Sequence, residues 1–295
     1  MDVKNLKVFQ AVARAGGMNG ASEVLHTVQS NVTARIRALE EELGVKLFNR
    51  HSRGVSLTRA GERLLPFAKK MESLLQEAIR TVKDDGTPQG LLTIGSLETT
   101  AAQRLSPIIT AYGREFPRVN LVLRTATNAL LIEQVLASEL DGAFVCAPVN
   151  HSELASDIAF REELVIVSAA GHKSLELIFE APETKILVKG PGCAYRSRLE
   201  TMLSLRGITP AGRMEFGTIE AILGCVEAGL GITLLPRGLV QEAEQSGRVS
   251  LHELPSTESR IQIVFTRRSD AAPFSALEAF MRFAIHPTTL SEAAE

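Results

Sequence analysis

The chain of 295 residues is 45% apolar and 22% charged, an ordinary globular composition that excludes a disordered or collagen-like chain. At roughly 100–200 residues per domain, its length predicts two domains, or three if one is small. No apolar run approaches the roughly 20 residues of a bilayer-spanning helix. The first residues also lack the features of a signal peptide, so we expect a cytoplasmic protein without a membrane partner.

The formal net charge of −2 is unevenly distributed along the chain. Residues 1–60 carry nine Lys and Arg against five Asp and Glu, a net charge of +4, whereas residues 89–295 carry 18 against 24, a net charge of −6. A small basic segment attached to a larger acidic one indicates that the basic segment alone contacts a polyanion.

Three short helices are predicted first. Apolar residues at helical spacing from Leu6 to Ala13 indicate one helix, which Gly16-Gly17 ends. Asn19 is the expected N-cap of a second helix, whose inward residues would be Ala21, Val24 and Leu25. A third helix is expected from about Val28 to Leu43, ended by Gly44. Its apolar stripe consists of Val32, Ile36, Leu39 and Leu43, and its end, Glu40-Glu41-Glu42, is expected to be solvated.

A short hairpin and a long helix follow. Val45–Phe48 and Val55–Leu57 flank a basic tip, Arg50-His51-Ser52-Arg53-Gly54, in which Gly54 permits the turn. Within residues 58–82, an apolar stripe from Leu64 to Val82 continues for about five turns, which predicts a helix that pairs with a second copy of itself. Pro66 predicts either a kink or a helix start close to it. The linker 84–90 completes the division into domains 1–60, 61–89 and 90–295.

Beyond residue 90, β-rich runs alternate with helical stretches, which predicts an α/β body with helices on both faces of open sheets. About 205 residues favour two lobes with a cleft between them, the first of about 90–161 and 267–295 and the second of about 162–266. The predicted strands are Leu91–Gly95, Asn120–Thr125, Gly142–Val145, Leu164–Ser168, Ile186–Val188, Ile232–Leu235, Val249–Glu253 and Ile261–Thr266. The predicted helices are Thr100–Glu115, Leu130–Ser138, Tyr195–Leu205, Thr218–Ala228 and Pro273–Ala284.

The third helix has the chemistry of a DNA-reading helix. Gln29 can bond adenine through two atoms, Ser30 and Thr33 can reach base edges or phosphates, and Arg37 can reach guanine or phosphate. Two helices joined by a tight turn place such a helix in the major groove, and Arg50 and Arg53 in the hairpin can contact the backbone. The alternatives are an ion pair of Arg37 with Glu40 or Glu41 and a solvated hairpin loop.

Residues 6–65 resemble the winged helix-turn-helix of the LysR-type transcriptional regulators. The matching phrases are Leu6-x-x-Phe9, Ala21-Ser22-x-x-Leu25, Gln29-Ser30, Ile36-Arg37-x-Leu39-Glu40-Glu41-Glu42-Leu43-Gly44, Leu47-Phe48-x-Arg50 and Leu57-Thr58-x-x-Gly61. The chain departs from the usual family residues at Val28, Ser30, Asn31 and Ala34, and Arg35 is the candidate that compensates for Ala34. The long helix and the two lobes extend the resemblance to the whole chain.

The resemblance implies a sequence-specific regulator that binds double-stranded DNA as a dimer or tetramer, with RNA polymerase as a further partner. The DNA-binding candidates are Gln29, Ser30, Asn31, Thr33, Arg35, Arg37, Arg50, Arg53 and Thr58. It also implies a body like a periplasmic solute-binding protein, with a small-molecule effector in the cleft and no other cofactor.

Strand-to-helix junctions of the body supply candidates for effector binding. Free backbone N–H groups and hydroxyls at such junctions can hold an anion or another polar group. The candidates are Ser96, Glu98, Thr99, Thr100, Asn128, Cys146, Cys193, Tyr195 and Thr218, each of which could instead be a simple cap or loop residue. The charge of Glu98 argues against a purely anionic ligand.

Two other functions stay open as alternatives, and enzymatic activity is not expected. Cys146 and Cys193 could form a redox pair, while Cys225 lies in an apolar run and is expected in the core. A stand-alone solute-binding protein would explain two lobes but not the basic segment. The sequence contains no GxxxxGK[ST], HExxH or GxSxG motif and no Cys/His cluster, so we expect neither an enzyme nor a metal site.

Overall fold

The computed structural model describes residues 1–51, 54–172, 174–181 and 183–285. It divides into two compact units, one of Met1–Asp84 with Ala137–Glu139 and one of Asp85–Leu136 with Leu140–Glu295. The elements of the first unit are α1 (Val3–Ala15), α2 (Met18–Val24), α3 (Gln29–Leu43), β1 (Phe48–His51), β2 (Gly54–Leu57) and α4 (Arg59–Lys83).

Local signals set the ends of the first helices. The Asp2 carboxylate accepts a hydrogen bond from the Lys4 N–H at the start of α1 (3.0 Å), and α1 and α3 end at Gly16 and Gly44, both in the left-handed conformation. The strands β1 and β2 pair in an antiparallel hairpin, as predicted, but β1 covers Phe48–His51 instead of Val45–Phe48, so Arg50 and His51 lie in the strand and not at the tip. Gly54 is needed for a close approach as well as for the turn, because a Cβ there would lie 2.5 Å from the Gly16 carbonyl oxygen.

The core of the first unit confirms the predicted stripe on α3 except at its end. Leu43 is exposed, and Val24 on α2 is 65% exposed rather than buried. The expected cap at Asn19 is also wrong, because α2 begins one residue earlier, at Met18. In that register Met18 and Ala21 share the buried face, and Val24 points away from it. The fully buried members are Leu6, Phe9, Val12, Ala21, Val32, Ile36, Leu39, Leu47 and Ala68.

Glu40 is buried, so the expectation that the whole acidic end of α3 is solvated is wrong. Its carboxylate accepts hydrogen bonds from the Leu47 N–H (2.8 Å), the Phe48 N–H (3.3 Å) and the Lys46 ammonium (2.8 Å). Burial raises the pKa of Glu40, but these hydrogen bonds outweigh burial and hold the pKa below its ordinary value. The carboxylate thus fastens the start of the hairpin to α3.

We expect Glu40→Ala to lower the free energy of unfolding of the first unit by about 2 kcal/mol, because two buried N–H groups lose a charged acceptor. Urea titration combined with hydrogen exchange of residues 44–49 measures the loss. The stabilisation by Glu40 is present above its unfolded-state pKa and disappears as the pH falls through the lower folded-state value. The exposed neighbour Glu41→Ala is the control, with a change below about 0.5 kcal/mol. Unchanged protection of residues 44–49 from hydrogen exchange in Glu40→Ala would contradict this role.

The long helix α4 leaves much of its apolar stripe uncovered in the single chain. The Thr58 hydroxyl caps its start by accepting a hydrogen bond from the Gly61 N–H (3.1 Å), and the helix continues through Pro66. A helix start close to Pro66 is therefore wrong, and in this long helix the proline removes a single backbone hydrogen bond. Phe67 is 68% and Leu74 56% exposed.

The second unit is an α/β structure. Its strands are β3 (Gly90–Ser96), β4 (Val119–Thr125), β5 (Gly142–Cys146), β6 (Leu154–Ala169), β7 (Lys185–Lys189), β8 (Gly212–Phe216), β9 (Thr233–Pro236), β10 (Val249–His252) and β11 (Arg260–Arg268). Its helices are α5 (Glu98–Thr100), which a π-helical turn (Ala101–Leu105) joins to α6 (Ser106–Glu115), then α7 (Asn128–Leu136), α8 (Leu175–Glu180), α9 (Ala194–Leu205), α10 (Ile219–Glu227), α11 (Arg237–Gln245), α12 (Ser256–Ser259) and α13 (Ser275–Ile285).

The long strand β6 runs from one lobe into the other. Its first part, residues 154–163, pairs with β11, and its second part pairs with β9 and β10. The strands β3, β4 and β5 are parallel and continue the sheet beyond β11, while β7 and β8 form a separate parallel pair. Residues 263–266 pair with β5, so this stretch lies in the sheet of the first lobe although the sequence placed it in the second.

Candidate functional site

The outer face of α3 presents polar side chains over a buried stripe. Gln29, Ser30 and Arg37 are exposed, whereas Val32 and Ile36 are fully buried in the core of the first unit, where α3 packs against α1 and α2. The alternative of an Arg37–Glu40 ion pair finds no support, because the Glu40 carboxylate bonds to Lys46 and the hairpin backbone. These three side chains are thus available to a partner.

Three other DNA-binding candidates form hydrogen bonds within the chain. The Asn31 amide donates to the Thr27 hydroxyl (2.9 Å), and the Arg35 guanidinium donates to the Asn5 side chain (3.2 Å). The Thr58 hydroxyl donates to the Lys46 carbonyl (2.7 Å) while it caps α4. These bonds give structural roles to Asn31, Arg35 and Thr58.

Of the three remaining candidates, the structure describes two. Thr33 is half-buried on α3, and Arg50 is exposed on β1. Arg53 lies outside the described residues. Arg50 is therefore the cation that the described part of the hairpin offers beside α3.

The second unit contains a narrow cleft between its two lobes. Five candidates from the sequence meet at its wall: Glu98, Thr99, Cys146, Cys193 and Tyr195. The cavity has a volume of about 30 Å³, room for one or two water molecules. The cleft is thus nearly closed in this conformation.

A charged contact crosses the cleft. One oxygen of the Glu98 carboxylate, on α5, is bonded to the Lys189 ammonium at the end of β7. The other oxygen accepts a hydrogen bond from the backbone N–H of Ile219, the first residue of α10 (3.2 Å). Glu98 follows β3 of the first lobe, while Lys189 and Ile219 belong to the second, so this contact joins the lobes.

A second contact across the cleft is uncharged and buried. The hydroxyls of Thr99 and Tyr195 are 3.0 Å apart, and the Tyr195 hydroxyl lies 3.5 Å from the Glu162 carboxylate on β6. Burial raises the pKa of Tyr195 well above its ordinary value, and the neighbouring Cys146 and Glu162 act in the same direction. Burial also raises the pKa of Glu162, which the nearby Arg104 opposes.

The cysteines at the cleft are free thiols. Burial, with smaller contributions from Glu162 and Cys193, raises the pKa of Cys146 to about 12. A thiol with this pKa is protonated at neutral pH, and the thiolate is the form that reacts. This environment does not favour a redox pair of Cys146 and Cys193. Cys225 is only partly buried, at the edge of the second-lobe core.

The four remaining effector candidates do not line the cavity, and three of them form hydrogen bonds elsewhere in the second unit. The buried Ser96 hydroxyl donates to the Leu97 carbonyl (2.9 Å), and the Asn128 side chain accepts from the Cys146 N–H (2.7 Å). Thr218 caps α10 by accepting from the Ala221 N–H (3.3 Å). Thr100 is fully buried, and its hydroxyl has no hydrogen-bond partner among the residues that the structure describes.

The polar groups that face Glu98 and Tyr195 were not predicted from the sequence. Lys189 ends β7, directly after three buried apolar residues, and a charged residue at the carboxyl end of a buried parallel strand could have identified it. The Ile219 N–H is a backbone group without a side-chain signal. Glu162 lies in β6, where this strand passes from one lobe to the other. The strand predicted from the sequence begins only at Leu164, so Glu162 was not identified.

The described residues contain no group of three or more His, Cys, Asp or Glu side chains that could hold a metal ion. Their helices include none that is long and apolar enough to cross a membrane.

Comparisons with known proteins identify both units. Residues 3–62 match the model of the bacterial regulatory helix-turn-helix proteins of the lysR family, and residues 85–286 match the LysR substrate binding domain. The HTH-type transcriptional regulator YusT of Bacillus subtilis is 47% identical over 281 residues, which cover 95% of this chain and 94% of that protein. The HTH-type transcriptional regulator GltR of the same organism is 40% identical, with 95% of each chain covered.

Solved structures share the fold. CbnR in complex with its target DNA has a TM-score of 0.68 and 22% identity, with 96% of this chain and 99% of that chain covered. A full-length OxyR variant of Pseudomonas aeruginosa also has a TM-score of 0.68, at 20% identity, with 96% and 93% covered. The family models and the curated relatives cover nearly the whole chain, which therefore belongs to the LysR-type transcriptional regulators, with a helix-turn-helix domain followed by an effector-binding domain.

Proposed function

We propose that α3 enters the major groove of its DNA site and that Gln29, Ser30 and Arg37 read the duplex there. The observation that carries this proposal is the exposed polar face of α3 above the buried Val32 and Ile36. Arg50 contacts the phosphate backbone beside the groove, and Arg53 is its predicted companion. CbnR, a structural relative, has been solved on its target DNA.

The apolar stripe of α4 provides the dimer contact in this proposal. Exposed apolar side chains at helical spacing over five turns form a continuous surface suited to a second copy of the same helix. Two helix-turn-helix domains (residues 3–62, here called the heads) that are held in this way read two half-sites of one operator. Two dimers form a tetramer on DNA, and RNA polymerase is the further partner.

The cleft of the second unit is the effector site in this proposal. Glu98, Thr99 and Tyr195 hold the two lobes together across it, so a ligand that enters must change their contacts. A ligand that binds the open and closed lobes with different affinity shifts the balance between them. That shift changes the spacing of the heads and hence the affinity for the operator.

The salt dependence of DNA binding by the full chain tests the role of the head. Arg50 and its predicted companion Arg53 from the two copies neutralise about four phosphates, so the logarithm of affinity should fall with the logarithm of salt concentration with a slope of about −4. Fluorescence anisotropy of a labelled duplex gives this slope. A chain lacking residues 1–84 is the control and should not bind. A flat slope, or equal binding by the truncated chain, would contradict the proposal.

A further inference from the structure

The cleft is held shut by a carboxylate of the chain itself. The charged side chains on its wall, among the described residues, are Glu98 and Lys189. They are bonded to each other, and the Ile219 N–H donates to the second Glu98 oxygen. A Lys ammonium and a helix N-terminal N–H are both groups that bind a carboxylate.

Opening the cleft breaks these bonds. A volume of about 30 Å³ admits one or two waters, so a larger ligand requires the lobes to separate. Separation takes Glu98 on the first lobe away from Lys189 and Ile219 on the second. The Lys189 side chain is mostly buried, and a cation and an N–H left there without an acceptor are unfavourable. A carboxylate on the ligand restores both bonds, whereas an amine could replace only Lys189 and would leave the two cations close together.

We propose that Glu98 is a tethered competitor for a carboxylate subsite formed by the Lys189 ammonium and the Ile219 N–H, and that the effector is a small carboxylate. This inference rests on the proposed function, in which the cleft binds the effector. The negative charge of Glu98, which in the sequence argued against an anionic ligand, is neutralised by Lys189 while the ligand is absent and moves toward solvent when the ligand binds. Glu98 is 28% exposed, so solvent is within its reach.

The other residues that line the cleft suit a ligand in which a short chain is attached to the carboxylate. Leu97, Cys146 and Ala194 supply apolar or weakly polar surface, and the Thr99 and Tyr195 hydroxyls, together with Thr127, are neutral polar groups of the wall. A short apolar chain would lie against the first three residues, and a hydroxyl or carbonyl on the ligand would meet the two hydroxyls. The subsite therefore selects the charge of the ligand, and the rest of the wall selects its length.

Removal of the Glu98 carboxylate tests the competition in the full-length protein. The probe is propionate, with propionamide and propylamine as neutral and cationic molecules of the same size, titrated calorimetrically at constant ionic strength. Glu98→Ala should bind propionate about tenfold more tightly than the unaltered chain, because the internal competitor is gone. Lys189→Gln added to Glu98→Ala should abolish this gain. Neither variant should gain affinity for propionamide.

Matched controls separate competition from a general loss of charge. Glu227 has a side chain 27% exposed and is paired with Arg248 (2.6 Å) at the opposite end of α10, so Glu227→Ala should bind propionate as the unaltered chain does. Glu98→Gln keeps an acceptor for the Ile219 N–H and should show a smaller gain than Glu98→Ala. If Glu98→Ala does not fold, a gain in Glu98→Gln alone supports the proposal, and no gain contradicts it.

Three results would overturn the proposal. They are equal propionate affinity of Glu98→Ala and the unaltered chain, equal affinity of Glu98→Ala for propionate and propionamide, and tighter binding of propylamine than of propionate by the unaltered chain. Operator affinity is measured on the same preparations without propionate. Failure of the unaltered chain to bind its operator would contradict the proposed function, whereas the propionate titrations test the subsite independently.

Discussion

Leu74→Glu is expected to lower the affinity of the full-length chain for its operator by about a hundredfold or more. Leu74 is 56% exposed in the single chain and lies in the middle of the apolar stripe of α4. A carboxylate there would be buried in the dimer contact without a partner, which is unfavourable. Loss of the dimer separates the two heads and removes an advantage of about 10²–10⁴ that linked binding provides.

Sedimentation equilibrium and operator binding by fluorescence anisotropy measure the two consequences of Leu74→Glu together. Gln76→Glu is the matched control, because it adds the same charge to an exposed position on the opposite side of α4. This control should remain dimeric and keep its operator affinity. A dimeric Leu74→Glu chain with unchanged affinity would show that α4 does not form the contact.

Gln29→Ala and Arg50→Ala are expected to affect DNA binding in different ways. Gln29 faces base edges in the proposed docking, so its loss should reduce the preference for the operator over altered sequences by about 1–3 kcal/mol. In the same proposed docking Arg50 contacts phosphate, so its loss should weaken binding to all sequences about equally and reduce the salt slope by about one for each copy of the chain.

Competition titrations with the operator and with single-base variants of it separate these effects. Gln241→Ala, an exposed glutamine on α11 of the second unit, is the control and should change neither the preference nor the slope. Identical effects of Gln29→Ala and Arg50→Ala on base preference would contradict the assignment of groove and backbone contacts.

Local periodicity explains why the helix-turn-helix could be predicted in detail. Val32, Ile36 and Leu39 repeat at helical spacing, and Gly44 marks the end of α3, so both the helix and its buried face follow from nearby residues. The burial of Glu40 does not follow from its neighbours on the helix. It depends on the N–H groups of Leu47 and Phe48, which need an acceptor where the chain turns into the hairpin.

The elements missed in the second unit have weak local patterns. The strand β8 has the sequence Gly-Arg-Met-Glu-Phe, which pairs only with β7 and is nowhere fully buried. The helix α11 begins directly after Pro236 and contains Gly238, residues that usually indicate a turn. Packing against the sheet stabilises both elements, and a single sequence window does not report that packing.

The sequence predicted some residues of the cleft but not their partners in the other lobe, because it reports local structure only. Strand ends and helix starts can be located in sequence, so Glu98, Thr99 and Tyr195 were identified as candidates. Their partners across the cleft depend on how two lobes meet. Lys189 and Glu98 are 91 residues apart, and no local pattern links them.

Selection from a randomised duplex library with the full-length chain at low salt shows whether two copies of α3 read two half-sites of one DNA site. We expect enrichment of an inverted repeat whose half-sites are centred about 34–36 Å apart, or a multiple of that distance. Recovery of no preferred sequence after repeated rounds, with and without metabolite extract, would contradict it.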